Sequence, residues 1–258
     1  MKASVWISLA KAVVLESLRR KDVWVVAILG ALILAASGAL GFFGMKGLEA
    51  FAKDLAVTVL GVFSTVLAVL VSTRLLPEEI RNRTLYPLLA RPITRFDLLF
   101  GKFLGAAAVS WIAFGLLAGV TLCALVLFGV RPEPIMGQYA LAKALGLVVV
   151  CALGLSLSAY MTAPAATTLA LVLAFGSDMI SRALVMAYPT ADPGSKAVFH
   201  ALNWLLPHFG VFDFGARVAN VGWSPVPLWV LGALAGYMAL YSAGLLGLAW
   251  ARFRKQAV

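Results

Sequence analysis

Long apolar runs separated by short polar segments dominate this chain. Six of these runs are near or above the roughly 20 residues that a helix needs to cross the hydrocarbon core of a bilayer. They cover residues 23–43, 56–76, 103–128, 139–160, 165–186 and 227–250. The short alternating segments of transmembrane β-strands do not occur. The pattern therefore predicts an all-α polytopic membrane protein with six transmembrane helices in a single domain, 1–258.

Two further segments contain many apolar residues but lack the long uninterrupted apolar run of a transmembrane helix. Residues 1–22 place apolar side chains at helical spacing and carry five basic residues, which predicts an amphipathic helix lying in the membrane interface. Residues 198–214 are rich in aromatic side chains but are interrupted by Pro207 and Gly210. We interpret them as broken helices at the outer interface, before the last span.

Composition and charge support this class of protein and predict its orientation. The chain is 62% hydrophobic and 12% charged, with a mean hydropathy of +0.98. Its net charge of +10 would suggest nucleic acid in a soluble protein, but membrane proteins carry excess Lys and Arg in cytoplasmic loops. With the N-terminus inside, 14 of the 21 basic residues lie on the cytoplasmic side. We therefore expect a multi-pass protein of the inner cell membrane, with both termini cytoplasmic and no nucleic-acid partner.

The most polar segment, 77–102, lies between the second and third apolar runs. Glu78 and Glu79 follow Pro77, which predicts a helix start where carboxylates complement the helix dipole. Four arginines come next: Arg81, Arg83, Arg91 and Arg95. Such side chains can pair with carboxylates on a partner protein. The alternative is that they only fix the topology and bind anionic lipid.

Catalytic motifs are weak or incomplete. The only Gly-Lys pair, Gly101-Lys102, lacks the Ser or Thr and the upstream glycine of a phosphate-binding loop, so no ATP hydrolysis by this chain alone is expected. Glu78, Glu79 and Arg83 form an EExxxR pattern similar to that of CAAX-type membrane proteases. The further arginine motif and an intramembrane histidine of that family are missing. An intramembrane protease is therefore the least favoured alternative, and no metal site or cofactor is expected.

One pair of opposite charges lies inside an apolar run. Asp178 and Arg182 are four residues apart on the fifth run, so they share a helix face and can neutralise each other. They are either part of an outer gate or substrate path, or a structural ion pair near the outer headgroups. The structural interpretation is favoured.

The polar segment resembles the first cytoplasmic loop of ABC-2 type transporter permeases. The likeness rests on Glu78-Glu79, a following basic residue, Thr84-Leu85, and the run Arg91-Pro92-Ile93-Thr94-Arg95 before Gly101-Lys102. The six apolar runs, the interfacial N-terminal helix and the broken outer segment are similar to that family over the whole chain. Residues 204–214 resemble the subgroup that includes the nitrous-oxide-reductase and multi-copper enzyme maturation permeases.

This resemblance implies a function and partners. In that family residues 77–102 would form a coupling helix that docks on a separate cytoplasmic ABC ATPase subunit, and 161–164 would make a second, shorter contact. ATP and Mg²⁺ would be bound by that partner. The chain would form a homodimer, or pair with a related permease, in contact with membrane lipid. The alternative from another class is a membrane anchor or assembly factor for an extracytoplasmic metalloenzyme.

Overall fold

The structure, a computed structural model, describes residues 2–20, 24, 28, 30–32, 48–81, 94–127, 133–190, 192–219 and 225–254. No β-strand occurs in these ranges. Their helices are α1 (Lys2–Arg19), α2 (Leu48–Arg81), α3 (Arg95–Leu127), α4 (Pro134–Ser158), α5 (Ala163–Ala187), α6 (Pro193–Leu205), α7 (Gly215–Ala219) and α8 (Leu228–Phe253). Two short 3-10 helices also occur, at Tyr188–Thr190 and Phe209–Phe212.

Five of the described helices, α2, α3, α4, α5 and α8, are long and apolar enough to cross a membrane. They correspond to the second to sixth predicted runs, so the prediction of an all-α polytopic membrane protein is confirmed. The first predicted run, 23–43, lies outside the described residues except at a few positions. The count of six spans therefore stays a prediction.

Helix α4 forms the centre of the bundle and packs against α2, α3, α5 and α8. Two-thirds of its most apolar stretch is buried, against about one-fifth for α5 and α8. Small side chains allow this central position. At Gly154, an added Cβ would lie only 2.0 Å from the Ser72 hydroxyl of α2. A glycine is required here because the two helix backbones approach so closely.

The outer helices expose large apolar side chains rather than burying them. Met179 and Met186 of α5 are 78% and 79% exposed, and Leu228 and Leu240 of α8 are 78% and 74% exposed. A soluble monomer rarely exposes apolar surface on this scale, whereas hydrocarbon solvates it well. The bundle is thus that of a multi-pass membrane protein.

Helix α1 lies along the first half of α3. Gly101 and Gly105 form the contact, since a Cβ on either glycine would lie within 3 Å of Leu9 or Val13. The opposite side of α1 leaves Ile7 exposed. This arrangement fits an amphipathic helix, although its position in the interface stays a prediction.

The segment after Pro77 differs from the sequence-based expectation. Glu78 and Glu79 do not start a helix, because α2 continues through Pro77 and ends at Arg81. Carboxylates near a helix C-terminus are disfavoured by the dipole. Ion pairs with Arg20 and Lys102 offset this cost. The prediction of a helix start was therefore wrong.

Candidate functional site

The residues predicted from the polar segment flank one end of the bundle, which we call the loop end. Here α2, α4 and α8 end, and α3 and α5 begin. Glu78, Glu79 and Arg81 lie in the last turns of α2, and Arg95 begins α3. Four of the predicted residues lie outside the described ranges: Arg83, Thr84, Arg91 and Pro92.

Both glutamates at the end of α2 are held by cations from neighbouring helices. Glu78 forms an ion pair with Arg20, which follows α1, at 2.6 Å. Glu79 forms an ion pair with Lys102 of α3, whose buried ammonium also donates to the Leu75 carbonyl at 3.3 Å. Ionised groups with little solvent contact must be paired. These pairs therefore fix the end of α2 against α1 and α3.

The start of α3 is fixed in the same way. Thr94 and Asp97 form a capping box, in which the Asp97 amide donates to the Thr94 hydroxyl at 3.1 Å. The Trp6 indole of α1 donates to the Asp97 carboxylate at 2.8 Å. Arg95 donates to the backbone carbonyls of Phe253 and Arg254, each at 3.2 Å. A cation at these carbonyls satisfies acceptors that the last turn of α8 leaves open.

The tight turn 159–162 between α4 and α5 also contacts the last turns of α8. Its Tyr160 hydroxyl donates to the Leu248 carbonyl at 3.0 Å. The Arg252 guanidinium lies 5.9 Å from the centre of the Tyr160 ring, within cation–π range. Arg95, which follows the connection 82–93, and Tyr160, which lies in the turn 159–162, therefore both bind the C-terminal turns of α8.

A cavity of about 440 Å³ lies towards the opposite end of the bundle. Its walls come from α2, α4, α5 and the segment 209–216, which follows α6 and includes the first turn of α7. Two glycines explain this shape. Gly210 brings the backbone of 209–216 against α5, since a Cβ there would lie 2.5 Å from the Asp178 carboxylate. Gly146 leaves room for the Phe212 ring against α4.

Five charged side chains line this cavity: Asp54, Lys143, Asp178, Arg182 and Asp213. Asp178 and Asp213 both act electrostatically on the Lys143 ammonium. The structure places the predicted pair Asp178 and Arg182 in one cavity wall, but the ion pairs of the described residues do not join them. Their direct pairing stays a prediction.

Backbone and hydroxyl groups hold the polar wall in place. The Tyr139 hydroxyl donates to the Val57 carbonyl at 3.1 Å, joining α4 to α2 beside Lys143. Asp213 accepts a hydrogen bond from the Gly215 amide at 2.8 Å, which fixes its carboxylate at the start of α7. Nearby, the fully buried Lys53 forms an ion pair with Glu133 at 2.6 Å and ties α2 to the start of α4.

The carboxylates of the cavity are not arranged for a metal ion. In the described part of the chain, no three side chains of His, Cys, Asp or Glu come close enough together to hold one. The cavity presents separated charges around an open space.

Comparison with known families decides the class of the chain. A family profile described as ABC-2 family transporter protein matches residues 7–258. The chain belongs to the ABC-2 family of transporter proteins. It is the membrane-spanning permease subunit of an ABC transporter. A search of curated proteins found no match to this chain. The resemblance to the maturation-permease subgroup therefore stays a prediction.

Sequence reasoning had singled out only two of the five charged residues in the cavity of this ABC-2 permease. Asp54, Lys143 and Asp213 were missed. Lys143 carried a signal, because it is a lone cation inside the apolar run 139–160, where an ionisable residue indicates function. Asp54 and Asp213 had none, since each lies outside the predicted spans and only the tertiary fold brings it to the cavity.

Proposed function

We propose that this permease subunit forms a translocation path and couples it to separate cytoplasmic ATPase subunits through residues 82–93 and their flanks. The second contact was predicted at 161–164, and we assign it to the turn 159–162 that overlaps this range. ATP and Mg²⁺ are bound by the ATPase, and the permease acts as a homodimer or pairs with a related permease. The excess of Lys and Arg in its connections supports a loop end, and both termini, on the cytoplasmic side of the inner membrane.

The observation that carries this proposal is the anchoring of the loop end. Ion pairs of Glu78 and Glu79 tie the end of α2 to α1 and α3. Arg95 and Tyr160 tie α3 and turn 159–162 to the last turns of α8. A displacement of residues 82–93 by a bound ATPase would therefore be transmitted to several helices at once. A loop that served only to fix topology would not require such anchoring.

Charge reversal in the loop tests the docking. Arg83→Glu with Arg91→Glu would place carboxylates against the carboxylates proposed on the ATPase surface. We expect recovery of the ATPase to fall at least about tenfold, because one like-charge contact costs several kcal/mol. Arg95 is left unchanged, since its guanidinium binds the end of α8. Lys11→Glu on the exposed side of α1 is the matched control and should leave recovery unchanged.

The measurement is co-purification from host membranes at matched expression, with the ATPase identified by azido-ATP labelling and mass spectrometry. Arg83→Lys with Arg91→Lys keeps the charge and should retain binding. Equal recovery with the reversed loop would show that these arginines are not part of the docking surface. If no ATP-binding subunit is recovered with the unaltered protein, the coupling proposal is wrong.

A further inference from the structure

We propose that the charged cavity binds monovalent organic cations that carry an apolar body. The inference deepens the proposed function, because a ligand site in a permease subunit is a place where cargo is held. Binding itself does not require the ATPase. It can therefore be tested on the permease subunit alone.

The balance of charge selects a cation. Three carboxylates, Asp54, Asp178 and Asp213, face two cations, Lys143 and Arg182. The cavity therefore carries one net negative charge. In the described part of the chain, no hydrogen bond or ion pair occupies the side chains of Asp54, Asp178, Lys143 or Arg182. Ionisable groups in membrane-spanning helices that face a cavity mark substrate or ion pathways.

The position of Lys143 disfavours an anion. Asp178 and Asp213 both act on its ammonium, so an anionic ligand that approaches Lys143 meets two carboxylates of its own sign. Gly61 of α2 packs beside this ammonium, since an added Cβ there would lie 3.5 Å from it. Lys143 therefore does not offer an open anion site, and the three carboxylates still outnumber the two cations.

The depth of the cavity selects a ligand with an apolar body. Asp54 and Thr65 both line it, and their eleven-residue separation on α2 corresponds to about 16 Å. Further in from Asp54 and Arg182, Val62, Leu147 and Phe175 add apolar side chains to the wall beside the hydroxyl of Thr65. A ligand that fills this space places its charge at the carboxylates and its body against these groups.

Aromatic rings and the separation of the carboxylates indicate an organic cation rather than a metal ion. Phe175, Phe209 and Phe212 line the cavity beside the carboxylates. A ring face attracts a diffuse cation that has little hydration to lose. A metal ion requires several carboxylates at bonding distance, and no such group occurs among the described residues.

The probe pair is tetraphenylphosphonium and tetraphenylborate, which match closely in size and shape but carry opposite charge. The purified permease is placed in nanodiscs of neutral lipid without any ATPase, and radiolabelled probe is measured by equilibrium dialysis against empty nanodiscs. We expect saturable binding of tetraphenylphosphonium at one site per chain. Tetraphenylborate should show only the background of empty nanodiscs.

Two substitutions with opposite expected effects locate the site. Asp178→Asn removes a carboxylate that makes no hydrogen bond to described residues, and should weaken tetraphenylphosphonium binding about tenfold, which corresponds to about 1.4 kcal/mol. Arg182→Gln removes a like charge and should tighten binding about threefold or more. Asp192→Asn is the matched control, because this exposed carboxylate does not line the cavity and should leave binding unchanged.

A misfolded variant cannot bind more tightly, so the gain in Arg182→Gln separates a binding site from a structural role. Absence of saturable binding to the unaltered permease would overturn the proposal, as would equal binding of tetraphenylborate. Equal affinity in Asp178→Asn and Asp192→Asn would place the site elsewhere and also overturn it. Failure of ATPase docking with intact tetraphenylphosphonium binding would contradict the proposed function and leave this inference standing.

Discussion

The contact between α2 and α4 at Gly154 offers a direct test of how the bundle is packed. Gly154→Ala adds one methyl group where α4 packs against Ser72 and Thr73 of α2. That methyl would lie 2.0 Å from the Ser72 hydroxyl oxygen, 3.0 Å from the Ser72 Cβ and 3.2 Å from Thr73. The Ser72 hydroxyl cannot simply turn away, because it donates to the Ala68 carbonyl at 2.7 Å and is fully buried.

The expected cost follows from these distances. Even after the hydroxyl rotates, the two β-carbons remain closer than ordinary contact, so α2 and α4 must separate. Overpacking of this kind costs about 1–3 kcal/mol. The higher helix propensity of alanine returns about 1 kcal/mol at most. We therefore expect Gly154→Ala to lower the free energy of unfolding by about 1–2 kcal/mol.

Gly119→Ala is the matched control, since nothing lies within 4 Å of its added methyl group. Stability is measured by chemical denaturation in one detergent and supported by thermal size-exclusion profiles. Adding Ser72→Gly should recover most of the loss in Gly154→Ala, which gives a double-mutant cycle with a clear sign. If Gly154→Ala is as stable as Gly119→Ala, or costs the same in the Ser72→Gly background, the close approach of α2 and α4 is wrong.

Two further substitutions test the loop end. Lys102→Met removes the buried partner of Glu79 and should destabilise the bundle by about 3 kcal/mol or more, whereas Glu79→Gln with Lys102→Met should recover much of that loss in the same denaturation assay. A double variant no more stable than Lys102→Met would contradict the pairing. Trp6→Phe removes the hydrogen bond to Asp97 and should weaken the attachment of α1 by about 1 kcal/mol, seen as faster proteolysis within residues 2–20. Unchanged proteolysis would show that the indole does not hold α1.

The apolar runs predicted the spans well but not the helix ends. Hydropathy detects the length that crosses hydrocarbon, and 56–76 was predicted where α2 covers Leu48–Arg81. A helix can continue into polar sequence because its backbone hydrogen bonds do not depend on apolar side chains. The ion pairs that stabilise this extension join residues far apart in the chain, such as Arg20 and Glu78, so no local pattern shows them.

The candidate sites differ in how far sequence could predict them. The polar loop is one continuous segment, so composition and motif located it, and even the capping box of Thr94 and Asp97 is visible as a threonine followed three residues later by an aspartate. The cavity takes its charges from four separate parts of the chain. The spacing of Asp178 and Arg182 indicated a shared face but could not show that this face is turned to an open space.

Helix α2 connects the two sites physically. Asp54 lines the cavity near its start, and Glu78 and Glu79 bind α1 and α3 near its end, about 36 Å away along the axis. Between them Gly154 packs against Ser72, so α2 cannot shift without displacing α4, which carries Lys143. A movement imposed at residues 82–93 would therefore carry Asp54 and Lys143 together and change their distance to Asp178 and Arg182 on α5. Such a change alters the affinity for a cation, because the interaction energy of two charges depends on the distance between them.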